Sequence, residues 1–167
     1  MLTAVAVDLD GALGDTHRLW DAFLADAARR FRSIAELDVA SLPNDRGAAA
    51  LELDRWADQG IGDWRSALTR FAEDHAPVYV RPSATANAAL RALVASGRTV
   101  GVYTDAPVEL ARVALAHLGA GRRVAYLEAG AGARQRLLER LGPEGTELAE
   151  TEEALVRIGD GGAEAPR

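Results

Sequence analysis

Two aspartates separated by one residue, Asp8 and Asp10, are the strongest candidates for chemistry in this chain. Asp8 is the last residue of the apolar run LTAVAVD at residues 2–8, and Asp10 follows two residues later. Such a run is typical of a buried parallel strand. Side chains alternate in an extended segment, so the two carboxylates point the same way. They repel each other unless one is protonated or a cation lies between them. Mg²⁺, a hard cation that prefers oxygen ligands, fits this pair.

Two later segments end in the same kind of residue. TVGVYTD at 99–105 ends in Thr104 and Asp105, and ALVRIGD at 154–160 ends in Asp160. We expect both segments to be strands of the same sheet, where ligands bind beyond the carboxyl ends of the strands. Asp160 would then supply a third carboxylate to the Mg²⁺ site.

The elements that must position these residues follow an alternating pattern. VAYLEAG at 124–130 predicts a further, weaker strand. Helices are predicted at 84–96, 107–118 and 133–141. Strands that alternate with helices of this length indicate an α/β fold with a Rossmann-like, doubly wound parallel sheet. Residues 15 to 77 have helical apolar spacing, and this all-helical block contains all three tryptophans, which we expect in its core.

Composition excludes several classes of function. The chain has no cysteine, which excludes disulfides, thiolate metal sites and a cysteine nucleophile. A net charge of −6 argues against nucleic acid or an anionic membrane as partner. The first residues have neither a basic segment nor a long apolar one, so we expect no signal peptide and a cytoplasmic location. A small-molecule partner is expected, with the protein a monomer or homodimer.

The segment VAVDLDGALGDT at 5–16 resembles the first motif of the haloacid dehalogenase (HAD) superfamily of phosphatases, Asp-x-Asp-Gly-Thr-Leu-x-Asp-Ser/Thr. VGVYTD looks like the second motif and VRIGD like the fourth, and the helical block is similar to the cap of phosphoglycolate-phosphatase-like members. The resemblance covers the chain from Val5 to about Glu164. It implies a Rossmann-like core at 1–14 and 79–167, with a helical cap at 15–78.

The resemblance also implies residue roles. Asp8 would attack phosphorus and form an aspartyl phosphate, while Asp10 would protonate the leaving oxygen and then activate water. Asp8, the main-chain carbonyl of Asp10 and Asp160 would bind Mg²⁺, and Thr104 would hydrogen-bond a phosphoryl oxygen. The expected function is therefore Mg²⁺-dependent hydrolysis of a small phosphomonoester, a phosphorylated metabolite. Members that cleave carbon–halogen bonds have no second aspartate at the position of Asp10.

Three departures from the family pattern keep an alternative open. The chain contains no lysine, so the lysine of the third motif is missing, and Arg134 or Arg136 would have to replace it; we favour Arg134. Ala12 stands where the first motif has threonine. The second acid of the fourth motif would be Glu164, close to the last residue. The alternatives are a catalytically weak or inactive protein that binds a phosphorylated metabolite or a protein partner, or a piece of a longer enzyme.

Two more residues are candidates for substrate binding. Asp105 precedes the Ala106-Pro107 pair that opens a predicted helix, so its other possible role is that of the helix N-cap. Arg46 lies in the turn SLPNDRG at 41–47 of the helical block, where it would either face a substrate anion or be solvated.

Overall fold

The computed structural model describes residues 2–35 and 37–161 as one sheet surrounded by helices. Its parallel strands are β1 (Ala4–Asp8), β2 (Thr99–Thr104), β3 (Tyr126–Ala129) and β4 (Thr146–Ala149), in the order β3-β2-β1-β4. The α-helices are α1 (His17–Ala35), α2 (Arg46–Trp56), α3 (Trp64–Tyr79), α4 (Ala84–Ala95), α5 (Val108–His117), α6 (Ala133–Leu141) and α7 (Glu152–Gly161). The expected α/β fold with a Rossmann-like parallel sheet is confirmed. None of the helices within the described ranges is both long enough and apolar enough to cross a membrane.

The two central strands form because their side chains are buried on both faces of the sheet. Val5 and Val7 pack into the main core together with residues of α4 and α5. On the other face, Ala6 and Tyr103 pack against Leu137 of α6. Strands covered on both sides need apolar residues at every position, which is why β1 and β2 were visible in the sequence.

The prediction of a strand at 154–160 is wrong, because this segment lies in helix α7. Its buried residues, Leu155, Ile158 and Gly159, are spaced three and four apart, as on one face of a helix. Thr151 caps the helix: its Oγ1 accepts a hydrogen bond of 3.1 Å from the amide of Ala154. The strand at this place in the sheet is β4, four residues long and only partly buried, so it lacks the apolar run of a central strand.

Helices α1 to α3 are inserted between β1 and β2, and their aromatic side chains are part of the main core. All three tryptophans are buried, as predicted. Trp20 of α1 packs edge-on against Trp64 of α3, with ring centroids 6.4 Å apart. Phe31 of α1 packs edge-on against Trp56 of α2 at 5.9 Å. These contacts join the three helices into a unit, which we call the helical insert.

Several contacts join the helical insert to the rest of the protein, among them the packing of α3 on α5. Arg65 of α3 forms an ion pair of 3.2 Å with Glu109 of α5. Gly47, in the first turn of α2, approaches the loop after β3 so closely that a Cβ atom there would lie 2.5 Å from the backbone nitrogen of Ala131. The start of α2 therefore rests directly on the loop that follows the sheet.

Replacing Gly47 with alanine should destabilise the protein. Alanine normally favours a helix over glycine by about 1 kcal/mol, but overpacking against a backbone atom costs about 1–3 kcal/mol. Because an approach of 2.5 Å to a backbone atom lies at the upper end of that cost, we expect the free energy of unfolding in urea to fall by about 2 kcal/mol. Gly121→Ala is the control, since nothing lies within 4 Å of a Cβ there. Equal stability of the two variants would contradict the close contact.

Candidate active site

Asp8 and Asp10 lie where β1 runs into a tight turn. Asp8 is the last residue of the strand, and its Oδ1 accepts a hydrogen bond of 3.0 Å from the amide of Asp10. Gly11 follows with a φ of 116°, a conformation that favours glycine. A Cβ on Gly11 would lie 2.8 Å from the carbonyl oxygen of Glu150, so the turn also packs on the segment after β4. The local fold thus places Asp8, Asp10 and Glu150 at one edge of the sheet.

The carboxylate of Asp10 is fully hydrogen-bonded. Its Oδ1 accepts from the amide of Thr16 at 2.7 Å and from the Thr16 hydroxyl at 2.6 Å. Its Oδ2 accepts from the Thr104 hydroxyl at 2.8 Å and from Nη2 of Arg46 at 2.5 Å. Burial alone would raise the pKa of Asp10, but the Arg46 charge and the Thr16 hydrogen bonds outweigh it and hold the pKa below its usual range.

Arg46 reaches this carboxylate from the helical insert. Its side chain is 1% exposed, and its guanidinium lies between Asp10 and Asp105. Nε and Nη2 donate to Oδ1 of Asp105 at 3.0 and 2.7 Å, and the backbone amide of Arg46 donates to its Oδ2 at 3.1 Å. Nη1 donates to the hydroxyl of Thr16 at 2.7 Å. The expectation that Arg46 is solvated is wrong.

Asp105 does not cap the helix that follows it. Helix α5 begins after Pro107 with no side-chain cap, and both carboxylate oxygens of Asp105 accept from Arg46 instead. A buried guanidinium needs anionic partners more than a helix start needs a side-chain cap, because an unpaired buried charge costs several kcal/mol, whereas a lost cap costs about 1 kcal/mol. The N-cap alternative for Asp105 is therefore wrong.

Asp8 differs from Asp10 in having no cationic partner among the described residues. Burial and repulsion by Asp10 raise the pKa of Asp8 to about 6, and the charges of Glu150 and Asp105 act in the same direction. The side chain is half-buried. Asp8 is thus the carboxylate of this cluster that would gain most from a bound cation.

A polar cavity of about 350 Å³ joins these residues. It is lined by Asp8, Asp10, His17, Asp45, Tyr103, Thr104, Asp105, Arg134 and the loop Gly130 to Ala133. The loop contains two glycines with positive φ, Gly130 and Gly132, and leads into the N-terminus of α6. A helix N-terminus carries partial positive charge, so this wall of the cavity suits an anion.

Asp160 is not part of this site. It lies near the C-terminal end of α7 and borders a different surface cavity together with Thr85 and Glu152. The prediction rested on a strand ending at Asp160, and the chain is helical there. The acid that follows the fourth strand is Glu150, whose charge acts on Asp8. Glu164 lies outside the described residues.

Tyr103 is a second site residue that the sequence did not reveal. It pairs with Asp8 in the sheet register, and its hydroxyl donates to Oε1 of Glu150 at 3.5 Å. Burial, helped by the charges of Asp8 and Glu150, raises the pKa of Tyr103 to about 12, so it remains a donor at neutral pH. The sequence did contain one signal for this role: Tyr103 is the residue before the last in a buried strand, where a polar hydroxyl lies close to the strand end.

The two arginines considered as replacements for lysine have different positions. Arg134 lines the cavity, and its Nε lies 3.4 Å from Oε1 of Glu150. Arg136 turns away: it pairs with Glu128 at 3.1 Å and donates to the carbonyl groups of Ala129 and Ala131. Arg136 therefore stabilises the loop, and Arg134 is the arginine that faces the site.

Asp10, Asp15 and His17 form another cluster with ligand atoms within 4.8 Å of one another. Nδ1 of His17 lies 2.7 Å from Oδ1 of Asp15, and both side chains are exposed. The Asp10 oxygen in this cluster already accepts both hydrogen bonds from Thr16, so it has little capacity for a metal. Asp8 and Glu150 have more free oxygen lone pairs.

No protein-family model matches this sequence. No curated protein matches it either. Solved structures do match over nearly its whole length. CbbY from Rhodobacter sphaeroides in complex with phosphate is 16% identical, with a TM-score of 0.61 over 98% of this chain and 84% of that one.

A HAD phosphatase from Thermococcus onnurineus is 16% identical, with a TM-score of 0.55 over 95% of this chain and 83% of that one. The beta-phosphoglucomutase from Clostridium difficile is 14% identical, with a TM-score of 0.55 over 96% of this chain and 82% of that one. The order of the four strands, the helical insert after β1 and these matches lead to one conclusion: the protein has the fold of the HAD superfamily phosphatases, as its first two motifs predicted, although the segment predicted as the fourth motif lies in helix α7.

Proposed function

We propose that the protein is a Mg²⁺-dependent phosphomonoester hydrolase that uses Asp8 as its nucleophile. The observation that carries the proposal is the convergence of Asp8, Asp10 and Thr104 on one polar cavity, at the carboxyl ends of neighbouring strands. Sequence and topology agree on this position, because both Asp8 and Thr104 are the last residues of their strands. CbbY, which has the same fold, was captured with phosphate, and that supports a phosphate ligand.

The chemistry assigned to Asp8 suits its surroundings. One of its carboxylate oxygens would attack phosphorus, so that an acyl–phosphate bond forms as the ester P–O bond breaks. Asp10 would first take up a proton, because its pKa is held below the usual range in this arrangement; it would give that proton to the leaving oxygen and later take one from the water that hydrolyses the intermediate. Asp8 makes no ion pair within the described residues, so its free oxygen is not held by an arginine.

The donor set fits Mg²⁺. The carboxylates of Asp8 and Glu150 lie at the same edge of the sheet, and burial together with like charges raises the pKa of Asp8 to about 6. These groups, with the main-chain carbonyl of Asp10, would hold the ion, and Glu150 takes the role predicted for Asp160. When bound, Mg²⁺ would neutralise part of the negative charge shared by the nucleophile and the phosphate.

Phosphate would be oriented by hydrogen-bond donors on two sides of the cavity. Thr104 supplies a hydroxyl from the end of β2. The loop of residues 130–133 and the N-terminus of α6 supply backbone amides from the opposite wall. Arg134, in the first turn of that helix, would add a charge-assisted hydrogen bond in place of the missing lysine.

One observation favours a second function, binding without turnover. Asp10 is hydrogen-bonded at both oxygens by Thr16, Thr104 and Arg46, and a group held in this way cannot act as acid or base until a partner leaves. A protein that remained in this arrangement would bind a phosphorylated metabolite without hydrolysing it. Tight binding of a phosphate ester, with no inorganic phosphate released after long incubation, would favour this function.

Hydrolysis should depend on Asp8 and not on Asp160. We expect a panel of small phosphomonoesters, assayed for released phosphate with and without Mg²⁺, to reveal at least one substrate that needs the metal. Asp8→Asn should reduce its turnover to background, because an amide is a poor nucleophile. Asp160→Asn should retain parental turnover. Metal-independent hydrolysis that survives Asp8→Asn would rule out the mechanism.

Measurements of Mg²⁺ binding should identify which acidic residue has the metal-binding role that the sequence assigned to Asp160. Glu150→Gln should weaken Mg²⁺ binding, measured by titration calorimetry, by about tenfold or more, the scale of one lost charged contact. Asp160→Asn is the matched control and should bind like the parent. The opposite result, with Asp160→Asn weakened and Glu150→Gln unchanged, would overturn the assignment of Glu150.

The pKa of Asp8 predicts a pH dependence of stability in the absence of metal. Its pKa is about 6 in the folded protein, above its ordinary value of 3.8, so the folded state binds more protons than the unfolded state between these pH values. The free energy of unfolding should therefore contain a contribution that declines as the pH rises from about 4 to about 6. Asp8→Asn should lack this decline in urea unfolding at several pH values. Parallel pH profiles would show that Asp8 titrates normally.

A further inference from the structure

We propose that Arg46 is a positioning residue that latches the helical insert onto the core and withholds Asp10 from chemistry until its guanidinium moves. The proposal rests on the proposed function, because it assigns a resting state to that active site. Arg46 is the largest fully buried side chain in the described part of the protein. Its partners, Asp10, Thr104, Asp105 and Thr16, all lie outside the helices of the insert.

The first step of the argument is the number of lone pairs on Asp10. A carboxylate has about four acceptor sites on its two oxygens. Thr16 occupies two through its amide and hydroxyl, Thr104 occupies a third, and Arg46 occupies the fourth. No site remains for the proton of a water molecule or for a proton on its way to a leaving oxygen. In this arrangement Asp10 therefore lies in the cavity, but it has no free lone pair with which to accept or transfer a proton.

The second step identifies the partner that can leave. Thr104 is fixed by the core, because it ends β2. Thr16 lies at the connection between the turn after β1 and α1, and its carbonyl accepts a hydrogen bond of 3.0 Å from the amide of Trp20 in that helix. Arg46 belongs to the insert, and its backbone amide and side chain both bind Asp105 across the boundary. Because Arg46 is 30 residues further along the chain than Thr16, it is the partner of Asp10 whose position changes most when the insert moves about this connection.

The third step concerns what releases the latch. The Nη2 atom of Arg46 lies 3.4 Å from the Thr104 hydroxyl, which lines the cavity. A phosphate group that binds beside Thr104 presents oxygens to the same guanidinium, and Arg–phosphate contacts are as favourable as Arg–carboxylate ones. An anionic ligand can therefore replace Asp10 as the acceptor of the hydrogen bond from Arg46. A ligand without such an anion leaves the latch closed.

The latch makes a different prediction from simple substrate binding by Arg46. If Arg46 only holds the substrate, its removal raises KM and leaves kcat unchanged. If Arg46 withholds Asp10, its removal raises kcat/KM, because the substrate no longer has to release Asp10 before it can react. If it only stabilises the fold, stability and activity decrease together.

The first experiment measures the latch without any need for activity. Hydrogen exchange of the full chain is followed by mass spectrometry for the parent, Arg46→Lys, Arg46→Met and a control, Arg65→Met, which removes the other insert–core ion pair, at Glu109. We expect Arg46→Lys to exchange several-fold faster in peptides covering 46–56 and 102–106, and Arg46→Met faster still. Helix α4, remote from the latch, should be unchanged. Arg65→Met should leave peptide 102–106 unaffected.

Faster exchange throughout, including α4, in both Arg46 variants would reduce Arg46 to a general structural role and overturn the proposal. Unchanged exchange in both variants would do the same. Lysine keeps the charge but lacks the planar fork, so Arg46→Lys provides a folded variant if Arg46→Met does not fold.

The second experiment measures turnover of p-nitrophenyl phosphate with Mg²⁺. We expect kcat/KM to rise at least two- to threefold in Arg46→Lys, with Arg65→Met equal to the parent. A raised KM at constant kcat, or a loss of kcat, would overturn the latch. The parent protein distinguishes failure of the proposed function from failure of the latch. If neither the parent nor any variant releases phosphate, phosphatase activity is refuted. The exchange experiment alone then decides whether Arg46 holds the insert.

Discussion

The crowding of negative charge at the carboxyl edge of the sheet constrains the rest of this structure. Asp8, Asp10, Asp105 and Glu150 all meet there, and two unit charges about 4 Å apart interact by about 4 kcal/mol at the effective dielectric of a protein surface. The buried guanidinium of Arg46 offsets two of these charges. Because it belongs to α2, the helical insert must be in place for the sheet edge to tolerate its own carboxylates.

The absence of lysine changes how positive charge is distributed in the site. A lysine is a single flexible point charge, whereas an arginine presents five donors in a rigid plane and pairs best with several acceptors at once. Arg46 uses this plane to join Asp10, Thr16 and Asp105. Arg134 lies beside Glu150. Neither arginine forms an ion pair with Asp8, so the carboxylate proposed as the nucleophile is not held by either of them.

The sequence predicted the residues at central strands better than those at the edge. Asp8 and Thr104 follow long apolar runs, which exist because β1 and β2 are buried on both faces. β4 is short and partly exposed, so its pattern was too weak to recognise, and the apolar residues of α7 were mistaken for a strand. The error moved the expected third acid from Glu150 to Asp160. Thr151 with two glutamates after it was the helix-start signal that could have prevented it.

The role of Arg46 depends on long-range contacts that no local pattern encodes. It is 59 residues from Asp105 along the chain, and a turn position ordinarily predicts a solvated arginine. The burial of Arg46 became visible only with the structure, because it requires α2 to be packed on α1, which in turn packs on α3, through aromatic side chains.

The position of the helical insert between two adjacent strands has a consequence for how the protein folds. Ala4 of β1 pairs with Thr99 of β2, so the central strand pair of the sheet can form only by closing a loop that contains the whole insert. Closing a long flexible loop is entropically costly and slow, but helices that form locally shorten the effective distance between its ends. Early folding of α1 to α3 would therefore accelerate formation of the sheet. On that route, the carboxylates at the end of β1 acquire their arginine at the same time as the central strands pair.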